Sequence, residues 1–338
     1  MSSISDLENS LSVNARKSPG EAARTNSFYN LIKSGYETRT RRRKTTNAVM
    51  LSLTGVATLL ALIPLFWIIG YVIYKGAPSL NLAFFTQLPR PVGMEGGGVL
   101  HAIQGTLIVT LLAALFAAPP GVLAAFYAAR YPNTPLGITL RFSTDVLSGV
   151  PSIVIGLFAY AAIVKPMGHY SGLAGGIALA MLMLPTIIRT TEEMLKLVPH
   201  TLREGSLALG APEWKTSLSV LLPAAFSGIV TGFLLALARA MGETAPLLFT
   251  ALGNERYNLG QIVTSGVQGK QGIFQILGRI LDQPLDSLPL TLWKYASQPY
   301  PERVAQAWGV ALVLMIFVLL LNISARLWIE NRAKKLRG

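Results

Sequence analysis

An all-α polytopic membrane protein is predicted by three features of this 338-residue chain. Apolar residues make up 51% and charged residues only 13%, with a mean hydropathy of +0.48, where a soluble domain carries about 25% charge. Six stretches are close to or above the length that crosses a hydrocarbon core, about 20 residues of helix. The basic residues, which give a net charge of +13, crowd just outside the first and last of those stretches. Membrane orientation accounts for that placement better than nucleic-acid binding does.

The six spans are expected at 47–74, 100–129, 140–163, 172–188, 226–250 and 306–329. Arg39, Arg41, Arg42, Arg43 and Lys44 precede the first, and Arg326, Arg332, Lys334, Lys335 and Arg337 sit at or beyond the end of the last. In the third, Pro151 lies within GVPSIVIG (149–156) and should kink the helix. Asp145, Ser148 and Ser152 nearby suit either a polar path or close packing of helices through small residues. The fourth is short and glycine-rich, yet its LAMLMLP core is too apolar for a surface loop. Most of the 29 Lys and Arg residues fall on the inner side if both termini are inside.

The chain then divides into a tail over 1–46, a transmembrane domain over 47–329 and a basic tail over 330–338. The first tail is rich in Ser, Asn, Thr and charge and is expected to be disordered and cytoplasmic. It lacks the short charged start and closely following apolar core of a signal peptide. On the outer side, 75–99 ends in the flexible run GMEGGG (93–98), and 251–305 is long enough to contain structure of its own. There 270–281 is expected to form an amphipathic helix with Ile273, Ile276, Leu277 and Ile280 on one face. Such a helix suits a packed outer cap or the reception of a binding protein.

Several chemistries are excluded. There is no cysteine, hence no disulfide and no thiolate, and His101, His169 and His200 lack ligand spacing. No GxxxxGK[ST] loop is present to cradle ATP. No paired carboxylates, histidine cluster or activated nucleophile mark an enzyme. Any energy source is therefore an ion gradient or a separate chain.

The inner loop over 189–223 breaks this apolar pattern most sharply. Pro199 suits a helix start, Gly210 a left-handed helix end, and Pro212 the first turn of a second helix. Leu202, Ser206 and Leu209 share one side of the first helix, whereas Trp214, Leu218, Leu221 and Leu222 form an apolar face on the second, with Glu213 and Lys215 near water. Such a knob on the inner side is placed to dock a soluble partner.

In the fifth span, Arg239 and Glu243 share one helix face by their i,i+4 spacing. Charges at membrane depth are costly and face a bundle interior or a wet route, so a structural ion pair competes with a role in a substrate path or gate. Arg239 is suited to an oxyanion, and Thr244 and Pro246 mark an irregular segment beside it. Arg189, Glu192 and Glu193, at the inner end of the fourth span, read as surface anchors or a gate.

Two motifs converge on a known family. Glu204, Gly205 and Ser206, then three residues, Gly210, nine residues and VLLP (220–223) resemble the EAA loop of ABC-transporter permeases, whose common form is E-A-A, three residues, G, nine residues, I-x-L-P. Over 184–251, the runs RTTEE (189–193) and RAMGETAPL (239–247) are similar to phosphate permeases of the PstA type. That resemblance implies a six-helix type I importer fold with a coupling hairpin, in a bacterial plasma membrane. It makes Glu204, Gly205, Ser206, Gly210 and Ala211 coupling residues, and places Arg239, Glu243 and Thr244 in the path or gate. The implied partners are a homologous PstC-type permease, two copies of a cytoplasmic ATPase that binds ATP and Mg, and an extracytoplasmic binding protein that delivers inorganic phosphate. Another oxyanion or small solute, the PstC-type role, and a signalling scaffold are the alternatives.

Overall fold

A computed structural model describes residues 19–94 and 96–337, all helix and connecting loop apart from one isolated bridge between Pro89 and Gly97. It falls into two units, 1–70 and 71–338. The first, where described, is helix: α1 runs Pro19–Gly76 without interruption. Over 19–46 this replaces the expected disordered tail, and the rest of that tail lies outside the described residues. No glycine pair or interior proline divides those residues from the apolar run that follows, so the helix propagates through them once formed.

In the second unit the helices that follow are α2 Leu82–Thr86, α3 Leu100–Arg130, α4 Pro135–Gly149, α5 Ser152–Met167, α6 Gly172–Lys196 and α7 His200–Ala208. After these come α8 Glu213–Met241, α9 Ala245–Thr250, α10 Leu259–Gln268, α11 Ile273–Leu281, α12 Leu288–Ala296 and α13 Pro301–Arg337. Five helices of the described chain are long and apolar enough to span a membrane, or six when α4 and α5 are counted as one broken span.

The short fourth stretch turns out to be the centre. Leu179, Leu182, Met183 and Ile187 of α6 pack with Val109, Ala113 and Ala117 of α3, Ile155 of α5, Ala236 and Ala240 of α8, and Leu247 of α9. Small side chains on the neighbours let the backbones close in, as van der Waals association in lipid requires. An 18-residue window of α6 is 67% buried, against 28% for α3 and 22% for α8, so the glycine-rich composition belongs to the helix with most neighbours.

The third span is broken rather than kinked. α4 and α5 meet at 106°, because Pro151 forces Val150 into extended backbone with φ −74° and ψ 128°. The fifth is displaced as well. It begins at Glu213 instead of 226, continuous with the second helix of the hairpin, and stops at Met241 before the short α9. In both broken spans a π-helical turn, 160–164 or 217–221, ends two residues before a proline, Pro166 or Pro223. Proline lacks an amide hydrogen and clashes with the carbonyl four residues back, and the wider π register relieves both.

Segment 251–300 folds as a cap on one end of α3 and α6. Leu288 N donates to Thr106 Oγ1 at 2.8 Å, Leu259 N to Gln104 Oε1 at 2.9 Å, and Gly172 N to Gln283 O at 2.9 Å. The amphipathic helix forms at α11, but its expected apolar face divides. Ile280 packs on the central core, whereas Ile273 and Leu277 are exposed beside Phe274.

Candidate functional site

At the other end of α6, α7 and the first turns of α8 build the hairpin. Pro199 is the N-cap of α7, and the helix ends in a Schellman turn: Ala211 N donates to Ser206 O at 3.3 Å and Gly210 N to Leu207 O at 2.9 Å. Gly210 holds φ +80° there, a left-handed conformation that costs an L side chain roughly 1–2 kcal/mol. Thr216 is buried and its hydroxyl meets Ser206 Oγ at 2.9 Å, tying the two helices together.

The predicted coupling residues therefore divide by role. Glu204, Gly205 and Gly210 lie on the exposed side of the knob, Ser206 faces the second helix, and Ala211 is half-buried in the turn. Leu209 is 90% exposed at the tip, and Trp214 and Leu218 of the expected apolar face are 67% and 55% exposed. Apolar side chains clustered at an exposed turn are the kind of patch that protein partners, membranes or ligands cover. Glu213 is exposed, as expected, and accepts hydrogen bonds from Arg130 and Arg203.

The pair in the fifth span sits at its end rather than within it. Arg239 is in the last turn of α8, where a cation complements the carbonyl end of the helix. Glu243 occupies the break and Thr244 the N-cap of α9. Arg239 Nε lies 3.6 Å from Glu243 Oε1, and the arginine side chain is 58% exposed. At that separation Glu243 tempers the charge without consuming the hydrogen bonds of the guanidinium fork. The two broken spans meet at this depth: α9 packs on α5, and a Cβ on Gly156 would stand 2.7 Å from Pro246 Cα. Non-helical backbone inside a bilayer is tolerated where it lines a cavity or is covered by protein, and discontinuous helices of this kind surround the substrate sites of transporters.

A second charged group lies near the hairpin end. Arg189 pairs with Asp145, and Glu192 with Arg141 and with Lys196, around a cavity of about 260 Å³. Arg189 and Glu192, expected as anchors or a gate, join α4 to α6 through these pairs, which the sequence alone had no means to show, and Glu193 lines the same cavity. Among the described residues no group of three or more His, Cys, Asp or Glu is placed to hold a metal ion.

Comparison with known proteins matches residues 121–338 to the family of binding-protein-dependent transport system inner membrane components. A phosphate transport system permease protein PstA from Yersinia pestis is 41% identical over 285 residues, covering 84% of this chain and 90% of the relative. The chain belongs to the PstA branch of this permease family. Another PstA, from Xylella fastidiosa strain Temecula1, is 42% identical over 85% of this chain and 93% of its own length. PstA 1 of Mycobacterium tuberculosis strain H37Rv is 36% identical over 88% of this chain and 92% of its own. In fold, the PstA-family chain resembles an inward-facing structure of the MetNI methionine ABC transporter, with a TM-score of 0.53 at 18% identity, covering 69% of this chain and 95% of that one. As a permease, the chain is a non-catalytic transporter component.

Proposed function

We propose that this chain is one of two homologous permeases in an ATP-driven inorganic phosphate importer of a bacterial plasma membrane. The observation that carries the cargo is the identity of 36–42% with PstA phosphate permeases across more than four-fifths of the chain. Geometry supports the rest. The exposed knob of α7 and α8 is the contact for a cytoplasmic ATPase, two copies of which bind ATP and Mg. Arg239, Glu243 and Thr244 line this chain's half of the path, which a PstC-type permease completes. The cap faces outward, toward an extracytoplasmic phosphate-binding protein, and both termini are cytoplasmic. Arg239 offers a charged fork that matches a phosphate oxygen pair, and Glu243 keeps that attraction shallow enough for release.

The test is phosphate uptake by cells carrying Arg239→Gln, with complex assembly followed by co-purification. Removing the charge-assisted contact should lower uptake at least about tenfold while the ATPase still co-purifies. Uptake at the wild-type rate excludes Arg239 from the path; intact phosphate uptake after deletion of the whole chain rejects the assignment of cargo.

A further inference from the structure

We infer that Glu213 is a positioning residue for coupling: with Arg130 and Arg203 it forms a clasp that delivers movement of the hairpin to α3. Arg130 is the last residue of α3, Arg203 lies in the middle of α7, and Glu213 opens α8. Glu213 Oε2 accepts from Arg130 Nε at 3.1 Å, Arg130 Nη2 reaches Oε1 of the same carboxylate, and Arg203 Nη2 reaches that Oε1 at 3.1 Å. One carboxylate thus holds three elements, and its grip on Arg130 is bidentate, the geometry that fixes direction as well as distance.

Packing joins α3 to α8 farther along, where Val122, Phe126 and Ala129 lie against a cluster that includes Leu221, Leu222, Ala225 and Ile229. The end of α3 and the first turns of α8 are parted by an apolar cavity of about 850 Å³, lined by Val122, Phe126, Trp214 and Leu218, with Arg130 and Glu213 at its edge. At the first turn of α8 itself, the clasp is the direct link from the hairpin to the end of α3. Because α3 packs along α6 in the central core, the clasp makes the hairpin, α3 and α6 move together.

The side chains of Arg130, Glu213 and Arg203 are 30%, 48% and 28% exposed, and ion pairs so exposed add little to stability. Loss of the clasp should therefore leave folding and assembly intact and appear only in the yield of transport. The inference rests on the hairpin being the ATPase contact. In the complete complex in liposomes, Glu213→Gln and Arg130→Gln should each lower phosphate moved per ATP hydrolysed about threefold, and the double variant should fall no further, because both remove one interaction. An unchanged ratio in Glu213→Gln with the ATPase retained, or losses that multiply in the double variant, overturns the clasp alone. Failure of the ATPase to co-purify with the wild-type chain overturns the reading of the hairpin and the clasp with it.

Discussion

The hairpin and the cap attach to opposite ends of α6 and are held by opposite means. In α7 no side chain is buried, and it is held by ion pairs open to solvent and by the hydroxyl contact of Ser206 with Thr216. In the cap, Leu288, Leu290, Thr291 and Tyr295 of α12 are all buried, as is Asp286 just before it. Asp286 is fully enclosed, with Lys294 Nζ at 3.0 Å, His101 Nε2 at 3.7 Å and a hydrogen bond from Ser287 N at 3.0 Å. Burial pushes the phenol of Tyr257 up to about 12 and that of Tyr295 higher still, so both stay neutral there. Regions with few buried contacts open at low free-energy cost, whereas buried ones open only with the fold. The difference teaches that the cap is locked to α3 and α6 by buried contacts, whereas the hairpin is free to shift at low cost.

The sharpest way to break this contrast is to unpair Asp286. Lys294→Met leaves a buried carboxylate without its cation, which should destabilise the protein by about 3 kcal/mol. Thermal unfolding of the purified complex should show it as a clear loss of Tm, whereas Arg203→Met in the hairpin should leave Tm near wild type. Equal shifts in the two variants would erase the distinction between the regions.

Next in size is Gly105, where the cap meets α3. A Cβ built there would stand 1.9 Å from the carbonyl oxygen of Asp286, a backbone atom that no rotamer change can move aside. Gly105→Ala should therefore cost about 2 kcal/mol by overpacking and loosen the cap. Hydrogen exchange of the Leu288 amide, bonded to Thr106 Oγ1, reports it directly; unchanged protection would show that the seam is more compliant than its geometry implies.

How far each region was legible follows from the range of its interactions. The hairpin is written locally: Pro199, Gly210 and the spacing to Pro223 act within a turn or two, and α7 and its Schellman end are where they should be. The start of α8 was missed because continuity through Pro223 depends on a π turn that no periodicity announces. Arg239 and Glu243 were legible as costly charges and Thr244 with Pro246 as an irregular segment, but hydropathy runs straight through Gly242 and gave no sign that the helix ends there. The cap was least legible. Asp286 meets His101 from 185 positions away in sequence, by the arithmetic of their numbers, and such pairing exists only once the chain has folded.

A smaller effect separates two glycines within the hairpin. Gly210→Ala places a side chain at φ +80° and should cost about 1 kcal/mol, confined to the turn. Gly205→Ala, in helix with open space around it, should instead gain roughly 0.5–1 kcal/mol. Exchange of the Ala211 amide should quicken several-fold in the first and slow in the second, with Tm nearly constant in both. A global loss of Tm in Gly210→Ala would mean that the hairpin is coupled to the core more tightly than its exposure suggests.

The smallest effect tests whether any contact near the cap behaves like those of the hairpin. His169, between α5 and α6, holds Asp282 at the end of α11 through Nε2 at 2.9 Å, with both side chains largely exposed. The hydrogen bond to the Asp282 carboxylate raises the imidazole above its ordinary value of 6.5, helped by the carbonyl of Met167. A raised value means that the protonated ring is favoured in the folded state. Its contribution is complete below the ordinary histidine value and fades as pH rises through the raised one. Wild-type protein should therefore lose a little Tm relative to His169→Gln between about pH 6 and pH 8, less than the loss in Lys294→Met. Parallel Tm curves for the two proteins across that range would show that this exposed pair contributes nothing, and would leave the cap held by its buried contacts.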